Sequence, residues 1–552
     1  MSSNPAQPAD SAYAFPLLIG QLLYTPLATS PRQKIVYADN CRYDYRTFAE
    51  RIARLASALT GLGVKPGDTV AVMDWDSHRY LECFFAVPMM GAVLHTINVR
   101  LSPEQILYTI NHAEDDVILV HEDFLPMVEQ FRDRLERPCK FLLIQESDEI
   151  PATSLALEGE YEQLVEKGQP DHTFQDFDEN TRATTFYTTG TTGNPKGVYY
   201  SHRQIVLHTL SVSAGMAMAS EHGRFCRDDV YMPITPMFHV HAWGMPYVAT
   251  LAGVKQVYPG RYVPEKLLEL IAREKVTFSH CVPTILHMLL SCPNIDSVDL
   301  SNWKVIIGGS ALPKGLARAA LARGIDIFSG YGMSETGPVL TIAHLERSML
   351  DGGDEEVLDL RCKTGRPIPL VDLDIVDQNM RSIARDGKST GEIVVRAPAL
   401  TQGYFKDPEA SEMLWSGGYL HTGDIGHLDK DGYLKVTDRL KDVIKSGGEW
   451  VSSLSLEDIV SRLPGVSEAA AIGIQDEKWG ERPLVLVVLE QGHEENVDEN
   501  TIRQHVQSYV DRGEISRWAV PERVEIVAGI DKTSVGKIDK KLLRARYDTG
   551  KS

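Results

Sequence analysis

The sequence predicts an α/β protein: a large N-terminal domain of layered sheets and helices, followed by a small, mobile α+β domain. Three observations predict it. Strand-like and helical stretches alternate through most of the chain, as in layered α/β bodies. At 552 residues the chain is too long for one hydrophobic core. After about Gly391 the texture shifts to short strands interleaved with a few helices.

Within the large domain, Phe48, Ile52, Leu55, Ala56 and Leu59 recur at helical spacing between Tyr45 and Leu62, and Gly61 and Gly63 end the pattern. Thr69 to Met73 then reads as a strand. Further strands are expected at Asp116 to Val120, Lys140 to Ile144, Ala183 to Tyr187 and Lys304 to Ile307, with helices at Glu104 to His112 and Glu265 to Glu274. Beyond Gly391, strands are expected at Gly391 to Arg396, Tyr433 to Thr437, Ala469 to Ile474, Leu484 to Leu489 and Val524 to Val527. Helices are expected near Leu456 to Leu463 and Thr501 to Val510. The division is expected near Asp438 to Asp442, giving a tail over residues 1–13, a large domain over 14–440 and a small one over 441–552. Two such domains suggest a site in the cleft between them.

Composition narrows the partners. Hydrophobic residues make up 43% and charged residues 24%, ordinary for a water-soluble protein. A formal net charge of −20 argues against nucleic acid or anionic membrane, which demand a basic footprint. Seven cysteines are scattered without C-x-x-C spacing, which fits a reducing cytoplasm and neither a disulfide framework nor a zinc site. The apolar runs are too short, or too interrupted by Pro88 and Gly91, to serve as a signal segment or a membrane span.

The chemistry centres on Tyr187-Thr188-Thr189-Gly190-Thr191-Thr192-Gly193-Asn194-Pro195-Lys196-Gly197. Three glycines, four threonines and a lysine in eleven residues let backbone N–H groups, hydroxyls and an ammonium converge on an anion. The loop is expected to join a strand to a helix. It is not a Walker A loop, because Pro195 stands where the second glycine belongs and Gly197 follows the lysine.

Three further stretches complement it. In Gly330-Tyr331-Gly332-Met333-Ser334-Glu335-Thr336, Tyr331 offers a flat face for a purine, Ser334 a hydroxyl for phosphate and Glu335 a hard oxygen for Mg²⁺. Thr422-Gly423-Asp424 sets a carboxylate after a glycine, suited to ribose hydroxyls, and Arg439 adds a donor. Near the C-terminus, Asp531-Lys532-Thr533-Ser534-Val535-Gly536-Lys537 is a second basic loop, whose Lys537 is a candidate electrophile.

In this order and spacing the motifs resemble the acyl-adenylate-forming (AMP-binding) superfamily across nearly the whole chain. They are most similar to medium- and long-chain fatty acyl-CoA synthetases and methylmercaptopropionate-CoA ligases. The resemblance implies that Thr188, Thr189, Gly190, Thr191, Thr192 and Lys196 hold the β and γ phosphates of ATP, with Thr188 and Glu335 near Mg²⁺. It implies that Gly309, Ser310, Gly330 and Tyr331 hold adenine, that Ser334 touches the α-phosphate, and that Asp424 and Arg439 bind ribose. Lys441 would be the hinge and Lys537 the adenylation lysine. Gly447, Gly448, Glu449 and Trp450 would flank the pantetheine of CoA. Gly308, His239 and Trp243 would shape the acyl site, Trp243 as the gate of a fatty-acyl tunnel.

The implied reaction is AMP-forming acid–thiol ligation: a carboxylate displaces pyrophosphate from ATP, the small domain rotates, and CoA takes the acyl group. His239 and His241 have no third ligand near in sequence and are read as packing groups instead of metal ligands. With no charged reader evident near the acyl segment, an aliphatic acid is favoured, and a 3-methylmercaptopropionate or other short or branched acid is the alternative. A carrier-protein-loading enzyme, a luciferase-type oxygenase and a non-catalytic nucleotide-binding regulator fit less well. A homodimer is left open. Asp531 stands where the family usually has proline, for which a small change in loop stiffness is expected.

Overall fold

A computed structural model describes residues 6–147, 149, 151–188, 194–220, 222–446, 449–476, 478–490, 497–512, 514–532 and 538–547. The chain divides into two compact units, Met1–Asp372 with Arg396–Leu420, and Leu373–Val395 with His421–Ser552.

The first unit is built on two sheets whose central strands are parallel. In the seven-stranded sheet the order is Leu157–Glu160, Lys140–Ile144, Val117–His121, Thr69–Met73, Val93–Thr96, Arg182–Tyr187 and Gly197–Ser201. Only the last pair is antiparallel. A nine-stranded sheet carries Lys304–Ile307 paired in parallel with Asp326–Gly332, which continues antiparallel to Val339–Ile342. Helix Tyr45–Gly61 packs on helices His78–Met89 and Tyr161–Lys167. Asp44 caps it by accepting the Thr47 N–H at 3.2 Å, and it buries the five apolar residues expected from their spacing. Pro103–Ala113 and Pro264–Glu274 likewise lie where helices are expected.

One expectation fails here. The threonine-rich segment does not lead from strand to helix. Gly197–Ser201 turns back antiparallel on Arg182–Tyr187, and helix His202–Ala217 starts only after Ser201 caps it. Val198, Tyr199 and Tyr200 are β-prone, and their pairing with the preceding strand outcompetes helix extension.

The second unit has a four-stranded sheet in the order Asp372–Val376, Gly391–Arg396, Leu420–Leu428 and Leu434–Arg439. Its other sheet combines Glu449–Val451, Ile444–Ser446, Gly480–Leu489, Val466–Asp476 and Arg523–Ile526. Helices Ser453–Ser461 and Glu499–Asp511 pack on the latter around Leu456, Val460, Ile502 and Val506. This unit's four-stranded sheet is made of strands before residue 440 and its other sheet of strands after it, and the unit takes in residues 373–395 and 421–440 besides 441–552. Lys441 lies within it, just past Leu434–Arg439, and is exposed.

Candidate functional site

The described ends of the threonine-rich segment are clasped. The Thr188 N–H donates to the Lys196 carbonyl at 3.0 Å, and the Lys196 N–H donates to Thr188 Oγ1 at 3.3 Å. Thr189, Gly190, Thr191 and Thr192 lie outside the described residues. The Lys196 ammonium sits 4.5 Å from the centre of the Tyr404 ring, and the Tyr404 hydroxyl donates to Glu335 Oε1 at 2.7 Å. A cation, an aromatic face and a carboxylate are thereby lined up from three distant stretches of chain.

Glu335 is 6% exposed, in the short turn Ser334–Thr336, so it is no surface acid. Its carbonyl accepts the Thr401 N–H at 3.1 Å, and the Tyr200 hydroxyl donates to the Ser334 carbonyl at 2.7 Å. Burial and the adjacent Glu335 charge hold the Tyr404 phenol far above its ordinary range, so it remains a donor to that carboxylate. Tyr404 reaches this place through a bridge to Val198, with the Phe405 N–H on the Gly197 carbonyl at 2.7 Å. Neither Tyr404 nor Tyr200 belongs to a motif recognisable in the sequence; each is one aromatic residue in a β-prone or irregular run.

Tyr331 lies half-buried in strand Asp326–Gly332, opposite Thr341, with Gly330 beside it. Gly332 has no room for a side chain: a Cβ there would be 1.7 Å from the Pro338 carbonyl oxygen. Gly309 has φ +75° and, like Ser310, is exposed just past strand Lys304–Ile307.

The stretch that carries His239 and Trp243 adopts a backbone that its sequence does not announce. Val240, His241, Ala242, Trp243 and Gly244 have φ of 50°, 54°, 47°, 59° and 71°, one left-handed turn of five residues. For L-residues this costs roughly 1–2 kcal/mol each, and such strain persists only where neighbours enforce it. The neighbours are specific. The Met237 N–H donates to Asp76 Oδ1 at 2.8 Å, Thr96 Oγ1 donates to the Phe238 carbonyl at 3.1 Å, and His241 Nε2 meets Thr184 Oγ1 at 2.7 Å. Thr184 spends its one hydroxyl proton on the Leu94 carbonyl at 3.0 Å, so His241 Nε2 carries the hydrogen there.

The turn sets Trp243 against Gly308, where a Cβ would lie 2.8 Å from the indole. The His280 ring stacks tilted on Trp243 at 5.0 Å. Burial lowers both His241 and His280 to about 3, so both imidazoles are neutral around this indole. His239 is exposed and His241 buried. His208, which no motif flags, wedges between Gly244 and Gly337; a Cβ on either glycine would come within 2.9 Å of its ring. No group of three metal-ligating side chains occurs among the described residues.

Asp76, which anchors this segment, is buried, and the loss of solvation raises its carboxyl to about 7 against the hydrogen bonds from Tyr262 and Met237. A raised carboxyl pKa favours folding most below the ordinary value of about 3.9, and that contribution fades as pH rises toward 7. Asp76→Asn is therefore expected to melt above the wild type at pH 8 and level with it near pH 4. A melting difference independent of pH would contradict this reading.

In the second unit, antiparallel register sets Asp424 directly opposite Arg439, and Arg439 Nε pairs with Asp424 Oδ1 at 2.7 Å. Asp424 lies within strand Leu420–Leu428 instead of after a turn, although Gly423 keeps a left-handed φ of +66°. It is buried, while the Arg439 side chain is 53% exposed. Gly447, Gly448 and Lys537 lie outside the described residues, as do the side chains of Glu449 and Trp450. The carbonyl of Asp531 accepts the Asp539 N–H at 2.9 Å, its carboxylate pairs with Arg546 at 2.7 Å, and Lys532 bridges Ile538.

A clasped threonine-rich segment whose lysine is backed by a buried carboxylate fits a nucleotide-using enzyme. The chain belongs to the AMP-binding enzyme family. That family's model matches residues 25–405, and the model of the AMP-binding enzyme C-terminal domain matches residues 455–537. It is 41% identical to a long-chain-fatty-acid–CoA ligase of Thermus thermophilus, covering 92% of this chain and 90% of the relative. It is 38% identical to a 3-methylmercaptopropionyl-CoA ligase of Ruegeria pomeroyi, covering 90% of each. Among solved structures, a Mycobacterium tuberculosis fatty acyl CoA synthetase superposes with a TM-score of 0.73 at 27% identity, covering 96% of this chain and 98% of that one. No helix among the described residues is long and apolar enough to cross a membrane.

Proposed function

We propose that the chain is an ATP-dependent, AMP-forming acyl-CoA ligase for aliphatic carboxylic acids of medium to long chain. The observation that carries this is the line from Lys196 through Tyr404 to Glu335, which sets a cation and a buried carboxylate together as a polyphosphate and its metal ion would need them. Relatives at 41% and 38% identity with fatty-acid and 3-methylmercaptopropionate ligase names support the class. The second of them keeps a short sulfur-containing acid as the other reading.

In the first half-reaction a carboxylate oxygen bonds to the α-phosphorus as the bridge to the β-phosphate breaks, releasing pyrophosphate and forming acyl-AMP. Lys196 and the threonine-rich loop hold the β and γ phosphates. Ser334 meets the α-phosphate, Tyr331 with Gly309, Ser310 and Gly330 receives adenine, and the Asp424–Arg439 pair takes the ribose. Lys537 neutralises charge developing at the reacting phosphate, so the protein's part is mainly positioning and electrostatics. Thr188 and Glu335 are hard-oxygen donors, a set suited to Mg²⁺, which binds one or two protein groups and takes its other oxygens from phosphate and water. Bound there, the ion would neutralise phosphate charge. In the second half-reaction the CoA sulfur bonds to the acyl carbon and AMP leaves. Lys441 is the pivot between the two halves, and Gly447, Gly448, Glu449 and Trp450 flank the thiol's path.

His241 and His280 are neutral and Trp243 is apolar, so the implied acyl stretch and its packing partners offer no charge to read a polar acyl tail. Pyrophosphate release measured over straight-chain, branched, aromatic and sulfur-containing acids, with and without CoA, tests the assignment. Highest kcat/KM for straight-chain acids of medium to long chain supports it, and preference for 3-methylmercaptopropionate or for charged-tail acids overturns it. Tyr404→Phe keeps the ring beneath Lys196 but removes the donor to Glu335. A hydrogen bond to a charged group contributes about 1.5–3 kcal/mol, so pyrophosphate release should slow about tenfold. An unchanged rate would remove Glu335 from the account.

A further inference from the structure

We infer that Lys540 is a positioning residue for the adenylation half-reaction, acting through a buried network that fixes the chain on the C-terminal side of Lys537. The inference rests on the function proposed above. Lys540 opens helix Lys540–Tyr547, three residues after Lys537, and its side chain is only 9% exposed. Its Nζ donates to Ser453 Oγ at 2.6 Å and pairs with Glu457 Oε1 at 2.8 Å. Ser453 is fully buried and passes the contact on: its Oγ and its N–H both donate to Asp438 Oδ2, at 2.7 and 2.5 Å. Asp438 is 1% exposed, is the last residue but one of strand Leu434–Arg439, three residues before Lys441, and also accepts the Arg439 N–H at 2.7 Å. Glu457 Oε1 accepts the Ala471 N–H at 2.8 Å.

One ammonium thus serves two buried carboxylates and ties together the start of one helix, the first turns of another, and two strands. The tie reaches both the strand that carries Arg439 toward Lys441 and the segment that follows Lys537. The other end of that segment is fixed as well, since Lys532 bridges Ile538 and pairs with Glu468 at 2.8 Å. A buried ion pair is weak evidence of net stabilisation, and hydrophobic replacements of equal volume often match it. What it does supply is a single geometry, because neither carboxylate tolerates loss of the ammonium at this depth. Lys541, the next residue of the same helix, is exposed.

The test separates the two half-reactions. In Lys540→Met, acid-dependent ATP–pyrophosphate exchange should fall about 10- to 100-fold, the range expected when a reacting group is displaced by about 1 Å. CoA thioester formation from supplied acyl-AMP should stay within about twofold, and Lys540→Arg should recover most of the exchange. Equal loss in both half-reactions, or no loss in exchange, overturns the inference. If Lys540→Met does not fold, Ser453→Ala removes the link to Asp438 while leaving the Lys540–Glu457 pair. A selective fall in exchange supports the inference, and unchanged exchange overturns it. Lys537→Ala run in parallel reports on the underlying assignment: if it spares exchange, the proposed function fails, whereas a selective loss there beside an unselective Lys540→Met defeats only the role of Lys540.

Discussion

Replacing Lys537 with alanine should lower acid-dependent pyrophosphate release about 100- to 1000-fold, the loss typical when one preorganised donor to a developing oxyanion is removed. Thioester formation from supplied acyl-AMP should survive. The asymmetry follows from when charge develops. In the first half-reaction a carboxylate, itself anionic, attacks a phosphate, and negative charge must be neutralised on the reacting oxygens. In the second, AMP is already a competent leaving group and the electrophile is a neutral carbonyl. Equal loss in both assays would contradict this division.

The second large effect is expected at Gly332. A Cβ there would sit 1.7 Å from the Pro338 carbonyl oxygen, a backbone atom that cannot swing aside as a side-chain tip can. Alanine must force apart strand Asp326–Gly332 and the chain entering Val339–Ile342, which together frame Tyr331, Ser334 and Glu335. Overpacking of this kind costs about 1–3 kcal/mol. Gly332→Ala should therefore lower the melting temperature and raise the KM for ATP more than the KM for the acid, because the displaced residues are those assigned to the nucleotide. Gly353→Ala, where no atom lies within 4 Å of the added Cβ, is the matched control and should leave both unchanged. Equal effects of the two substitutions would contradict the steric argument.

Local chemistry made much of the fold legible. The Phe48, Ile52, Leu55 spacing marks a helix that the structure caps at Asp44, and Lys140–Ile144 and Lys304–Ile307 are strands over the spans their short apolar runs suggest. What escaped depends on distant partners. Gly197–Ser201 reads as the beginning of a helix until Arg182–Tyr187 pairs with it. Residues 373–395 join the second unit because strand Gly391–Arg396 pairs with Leu420–Leu428 on one side and with Asp372–Val376 on the other, a choice made by ladder bonds that no local window contains. Glycines, threonines and charged residues at fixed offsets single out Thr188, Lys196, Ser334, Glu335, Asp424 and Arg439 as candidate site residues. The cross-strand pairing of Asp424 with Arg439 then gives two separately chosen residues one location. Tyr404 stayed hidden because its role comes only from tertiary placement between Lys196 and Glu335. The left-handed turn at Val240 to Gly244 was hidden for the opposite reason: its sequence favours ordinary backbone, and Asp76, Thr96 and Thr184 impose the strained one.

The central claim is that an acid is activated at the α-phosphate of ATP before a thiol accepts it. Identifying the nucleotide product is its most direct test. Purified protein with ATP, Mg²⁺, CoA and a straight-chain fatty acid should yield AMP, pyrophosphate and acyl-CoA in equal amounts, with no AMP formed when the acid is omitted. Release of ADP and phosphate, or AMP formed at the same rate without acid, would contradict it.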